Sequence, residues 1–193
     1  MNRQTEYVVV MGVSGSGKTE VARRLASKTD NICLDADDHH PKANVERMSR
    51  GVALNDEMRW PWLEAVAKAA QQVGQTDKTV FIACSALKRS YRDLLREKLG
   101  QLSFVFLEGT RDVIQTRLES RVGHFMPSAL LDSQLADLEP PGPDENCVTV
   151  FIDAPIETVV SMAVTRLENH GKSFPSFIKD NIAGKPALQG ENK

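Results

Sequence analysis

The 193-residue chain has no run of about 18 consecutive apolar residues, so nothing in it reads as a membrane span or as the apolar stretch of a signal peptide. Charge of one sign is missing too: 24 Lys and Arg stand against 26 Asp and Glu, a formal net charge of −2. There is no basic field for nucleic acid and no polybasic stretch for a membrane surface, and the expected partner is a small molecule. Cysteine is scarce. Cys33, Cys84 and Cys147 are odd in number, far apart and without C-x-x-C spacing, and each lies in an apolar run. The expectation is three reduced core residues in a cytoplasmic protein. Internal repeats are absent, and so is the D-x-x-G that a GTPase switch needs; Ser27-Lys28-Thr29-Asp30 imitates its base-binding motif but ends the first predicted helix.

What is present begins with Gly12-Val13-Ser14-Gly15-Ser16-Gly17-Lys18-Thr19, directly after the apolar strand Tyr7–Met11. These eight residues fill the pattern G-x-x-x-x-G-K-[ST] of a phosphate-binding loop. Glycines let the backbone turn its N–H groups inward around an anion, and the helix that follows adds its positive end. Lys18 supplies a cation for the β- and γ-phosphates, and the Thr19 hydroxyl suits Mg²⁺. ATP and Mg²⁺ are the expected ligands.

Short, non-alternating apolar runs at 6–11, 32–35, 79–84, 103–107 and 147–152 read as strands covered on both faces. Helical stretches are predicted at 18–29, 42–50, 57–74, 88–99, 111–121, 128–138 and 155–168. Such alternation implies right-handed βαβ units and a parallel sheet between helical layers, an α/β fold of one domain over 1–170. Pro140-Pro141-Gly142-Pro143 reads as a loop before the last strand, and 171–193 as a poorly ordered extension.

Ligands of such sheets bind beyond the carboxyl ends of the strands, so the polar residues there are the candidates. Asp35 and Asp37 follow the second strand; one carboxylate can serve the metal and the other an acceptor hydroxyl, whereas Asp38 reads as a helix cap. Lys88, Arg89 and Arg92 follow the third strand and either face an anionic substrate or form a solvated helix face. Arg117 and Arg121, four apart on one helix face, suit phosphate or a base, with ordinary surface pairing to Asp112 and Glu119 as the alternative; the Gly123–Pro127 segment behind them reads as a lid.

Taken together, Gly12–Thr19, Asp35-x-Asp37-x-x-His40-Pro41, Asn44, Leu54-Asn55-Asp56-x-x-Arg59-x-Pro61-Trp62-Leu63, Cys84-Ser85-Ala86-Leu87-Lys88 with Tyr91-Arg92-Asp93, Gly123-His124-Phe125 and Ser133-Gln134 resemble the gluconokinases of the P-loop type, over about residues 6–168. The resemblance implies a P-loop three-layer fold with strand order 2-3-1-4-5, a lid and usually a homodimer. It implies transfer of the γ-phosphoryl group of ATP to the 6-hydroxyl of D-gluconate, with another small-molecule or nucleoside monophosphate kinase of the same fold as the alternative. By the same resemblance, Asp35 orients metal-bound water and Asp37 is the base. Arg59 and Lys88 take the gluconate carboxylate, His40, His124 and Gln134 contact hydroxyls, and Arg121 packs on adenine. The lid segment His124-Phe125-Met126-Pro127 carries no arginine of its own, so Arg117 or Arg121 serves the transition state, or the lid only shields it.

Overall fold

The β-branched and aromatic runs form five parallel strands: β1 (Tyr7–Met11), β2 (Ile32–Asp35), β3 (Val80–Ala83), β4 (Leu102–Glu108) and β5 (Cys147–Phe151). In the computed structural model, which describes residues 5–74, 78–120 and 128–170, they make one sheet in the order β2-β3-β1-β4-β5. The expected order is therefore the observed one. Among the described residues, seven α-helices connect and cover the strands: α1 (Lys18–Lys28), α2 (Lys42–Ser49), α3 (Asp56–Val73), α4 (Arg89–Leu99), α5 (Arg111–Glu119), α6 (Ser128–Asp137) and α7 (Ile156–Asn169). The expected lid, 123–127, and the expected extension, 171–193, lie outside the described residues.

Because successive side chains of a strand point to opposite faces, β1 feeds two cores. Val8 and Val10 join Val21 and Leu25 of α1, Ile114 of α5 and Val160 of α7; Tyr7, Val9 and Met11 join Trp62, Leu63 and Val66 of α3 with Tyr91 and Leu95 of α4. All five residues of β1 are buried, as are all four of β3. The edge strands are not covered on both faces, contrary to the expectation from their apolar sequence. Cys33 of β2 and Phe151 of β5 are exposed, so Cys33 is not the core residue its sequence context suggested; Cys84 is fully buried and Cys147 is partly buried against the same core, and burial pushes both thiol pKa values up to about 12.

Parallel register brings the strands' carboxyl ends level with one another. Val10 pairs with both Ala83 and Val105, and Asp35 pairs with Ala83, so β1, β2 and β3 release their loops along one edge. Two features stand there that the helix-and-strand pattern did not reveal. A 3₁₀ turn, Ala36–His39, follows β2 directly and is capped by Asp35, whose carboxylate accepts from the Asp37 N–H at 3.0 Å; Asp38 lies inside this turn, and the helix it was expected to cap, α2, has Pro41 at its N-cap with no side-chain cap. The second is a buried ion pair. Arg92 of α4 donates from Nε and Nη2 to the two oxygens of Glu145 at 2.6 and 2.9 Å, and from Nη1 to the carbonyls of Ala86 and Leu87 at 3.2 and 2.9 Å. Arg92 is 0% and Glu145 1% exposed, so Arg92 belongs to neither of the two roles its sequence context suggested.

Candidate active site

The segment between β1 and α1 has the geometry of an anion cradle. Gly12 adopts φ 142°, and a Cβ there would lie 2.8 Å from the Leu107 carbonyl, so only glycine lets β1 pass β4 into the loop. Gly17, at φ 94°, is the N-cap of α1 and provides no side-chain cap, which leaves the first N–H groups of an 11-residue helix for an anion. Lys18 Nζ donates to the Val13 carbonyl at 3.1 Å, folding its cation over the loop. The Ser16 hydroxyl is buried without a hydrogen-bond partner, an orphan of the kind met where a ligand completes the set. These residues fit a phosphate chain.

Thr19, the second residue of α1, donates from its hydroxyl to Asp35 Oδ2 at 2.8 Å. The end of β2 is thus tied to the cradle, with Asp37 on the turn just beyond. Among the described residues there is no cluster of three or more His, Cys, Asp or Glu that would hold a metal by itself. The donor set therefore fits Mg²⁺ only as an ion shared between the Thr19 hydroxyl, phosphate oxygens and waters, with Asp35 beside them.

His40 lies against this edge in a half-apolar slot. Its ring stacks on Trp62 with centroids 4.1 Å apart, its Nδ1 is 3.4 Å from the Asn44 amide, and Nε2 is 3.9 Å from Asp37 Oδ1. Burial drives its pKa below 6.5, with the Arg59 charge adding to the effect and Asp37 opposing it, so the ring is neutral near pH 7. Trp62 is itself fixed by donating to the Ala36 carbonyl at 2.7 Å.

Arg59 of α3 and Lys88, the residue before α4, do come together, but within a charge-balanced network. Arg59 Nη1 donates to Asp137 Oδ2 at 2.7 Å and to the Tyr91 hydroxyl at 3.0 Å; Lys88 Nζ donates to Asp56 Oδ1 at 2.7 Å and lies 3.5 Å from Asp137 Oδ1. Tyr91 in turn donates to Asp56 Oδ1 at 2.5 Å. Hydrogen bonds from Lys88 and Tyr91 hold the Asp56 pKa down, and the bond to Asp56 holds that of Lys88 up. The sequence reading named both cations and neither counter-ion. Asp56 stands in the quoted Asn55-Asp56 pair and was open to discovery, whereas Asp137 belongs to no motif.

Gln134 reaches the phosphate loop, where its Oε1 accepts the Ser14 N–H at 2.7 Å. Arg117 donates to the Ser16 carbonyl at 3.5 Å, to the Ala154 carbonyl at 3.4 Å and to the Ile152 carbonyl, bracing the back of the cradle in place of the alternative pairing with surface acids. Arg121 and His124 lie outside the described residues.

Comparison with known proteins agrees with this architecture. A family model described as "AAA domain" matches residues 8–141. The thermoresistant gluconokinase of Escherichia coli K12 is 46% identical over 164 residues, covering 84% of this chain and 94% of its own. A crystal structure of a gluconokinase from Sinorhizobium meliloti 1021 is 42% identical with a TM-score of 0.75, over 84% of this chain and 91% of that one. An unliganded sugar kinase from Janibacter sp. HTCC2649 is 43% identical with a TM-score of 0.80, over 89% and 99%. With a nucleotide-type cradle, carboxylates at the end of β2 and relatives matched over nearly their whole length, the chain belongs to the gluconokinase family of P-loop kinases.

Proposed function

We propose that this protein transfers the γ-phosphoryl group of ATP to the 6-hydroxyl of D-gluconate, yielding 6-phospho-D-gluconate and ADP. The observation that carries the reading is the direct link between cradle and acceptor edge: the Thr19 hydroxyl bonds Asp35 at 2.8 Å, with Asp37 two residues further on in the turn. Residues 12–19 hold the phosphates, and Lys18 leaves the Val13 carbonyl to follow the charge on the transferring group. Mg²⁺, when bound at Thr19 with Asp35 steadying its water, offsets phosphate charge. Asp37 accepts the proton of the 6-hydroxyl as that oxygen forms its bond to phosphorus and the bond to the β-phosphate oxygen breaks.

Arg59 and Lys88 recognise the gluconate carboxylate, which distinguishes the substrate from neutral glucose by charge-assisted hydrogen bonds. His40, held neutral, and His124 contact hydroxyls; Arg117 braces the nucleotide loop and Arg121 packs on adenine. We place the protein in the cytoplasm as a homodimer; among the described residues no helix is long and apolar enough to cross a membrane. ADP release measured over gluconate, glucose, shikimate and nucleoside monophosphates tests the reading. Turnover is expected with gluconate, and a preference for a nucleoside monophosphate overturns the assignment.

A further inference from the structure

The helix α6 touches both halves of the site with groups that imitate ligands. Gln134 and Asp137 are three residues apart, about 4.5 Å along the axis and within one face. At one end, the neutral Gln134 oxygen occupies the Ser14 N–H of the phosphate loop at 2.7 Å. At the other, the Asp137 carboxylate spans the two cations, with Oδ2 on Arg59 at 2.7 Å and Oδ1 on Lys88 at 3.5 Å. Arg59 is only 8% exposed, and with Asp56 the network holds two cations against two carboxylates. Lys88 and Asp137 are 25% and Asp56 45% exposed, so adding a substrate carboxylate to it would leave a surplus negative charge in a partly solvated network beside the buried Arg59, and repulsion between the carboxylates favours release of one anion. Asp56 is held by both Lys88 and Tyr91 on elements that form the floor of the site; Asp137 is the carboxylate that belongs to a separate helix.

We propose that Asp137 is a surrogate for the substrate carboxylate and that α6 couples the two half-sites, so that nucleotide and gluconate bind with positive cooperativity. An oxyanion in the loop competes for the Ser14 N–H with a charge-assisted bond about twice as strong as that of the neutral Gln134 oxygen. Gluconate displaces Asp137 in the same way. Because both surrogates ride on one hydrogen-bonded helix, releasing one end lowers the cost of releasing the other, and the coupling is reciprocal.

This inference rests on the gluconate reading. Its test is calorimetric titration of gluconate with and without a non-hydrolysable ATP analogue and Mg²⁺, in the unmodified protein, Asp137→Asn and Gln134→Ala, each checked for cooperative thermal unfolding. The analogue is expected to tighten gluconate binding roughly fivefold or more in the unmodified protein, within the usual range of such couplings. Asp137→Asn keeps the shape but drops the competing charge; gluconate alone should bind several-fold tighter and the analogue should add less than twofold. Gln134→Ala should likewise reduce the coupling below twofold. Weaker gluconate binding in Asp137→Asn, or coupling of the same size in all three proteins, overturns the proposal while leaving the gluconate reading intact. An unmodified protein that neither binds nor phosphorylates gluconate in any nucleotide state overturns the reading itself.

Discussion

Replacing Glu145 by Gln changes one oxygen to an NH₂ group, yet it leaves the Arg92 guanidinium, 0% exposed, without its counter-charge. All the acceptors Arg92 uses are inside the protein: the two Glu145 oxygens and the carbonyls of Ala86 and Leu87. Breaking a buried ion pair from one side costs about 3–5 kcal/mol, because the remaining charge is left uncompensated. For a chain of this length each kcal/mol moves the midpoint by roughly 2–4 °C, so thermal unfolding at pH 7 should shift down by about 6–20 °C. The Arg89–Asp144 pair, 50% and 58% exposed at 2.6 Å, is the internal control, and Asp144→Asn should leave the midpoint nearly unchanged. Scanning calorimetry on the two variants decides the matter. If Glu145→Gln costs no more than Asp144→Asn, the buried pair does not carry the stability assigned to it.

Lys18→Ala should lower turnover by orders of magnitude with thermal unfolding almost unchanged, since the lost cation acts chiefly on transition-state charge; near-normal turnover in the folded variant refutes the cradle's role. Asp37→Asn should depress kcat far more than it changes binding of an ATP analogue, and a collapse of nucleotide affinity instead would remove Asp37 from the acceptor side. Neutralising Arg59 or Lys88 should raise the KM for gluconate and narrow its advantage over glucose; an unchanged preference in both variants places the carboxylate elsewhere. The folded-state pKa of His40 lies below its unfolded value of 6.5, so the unfolded chain binds the extra proton first. Its contribution is present above pH 6.5 and is lost as pH falls toward the folded value. His40→Phe should flatten that part of the stability–pH curve, and equal slopes for both proteins count against a buried neutral ring.

The strands and helix spans were legible because buried parallel strands and amphipathic crossovers leave clear patterns, and because eight contiguous residues define the loop after β1, whereas the order in which the strands pair was implied by the family resemblance and not by those patterns. Edge strands were not legible as edges, since Ile32-Cys33-Leu34 reads as apolar as β3 while only one of its neighbours exists. The placement of candidate residues was legible where a polar side chain follows a strand, as at Asp35, which meets Thr19, and at Lys88, which meets the Arg59 network. It was illegible where the meaning lies in a partner distant in sequence: Asp137 meets Arg59 78 positions away, and Glu145 meets Arg92 53 positions away. No local spacing announces either encounter.

The bonds from Arg92 to the Ala86 and Leu87 carbonyls set the order in which the site can come into being. Ala86 sits at φ 43°, a left-handed conformation that an alanine holds only under external support, and Lys88 follows two residues later. That support is anchored at Glu145, in the loop that precedes β5. A ribosome extrudes the phosphate loop, Gly12–Thr19, long before it delivers Glu145. On a nascent chain that stops before β5, the turn that leads to Lys88 is without the Glu145 anchor of its Arg92 brace, and the acceptor side is expected to settle only once that anchor arrives.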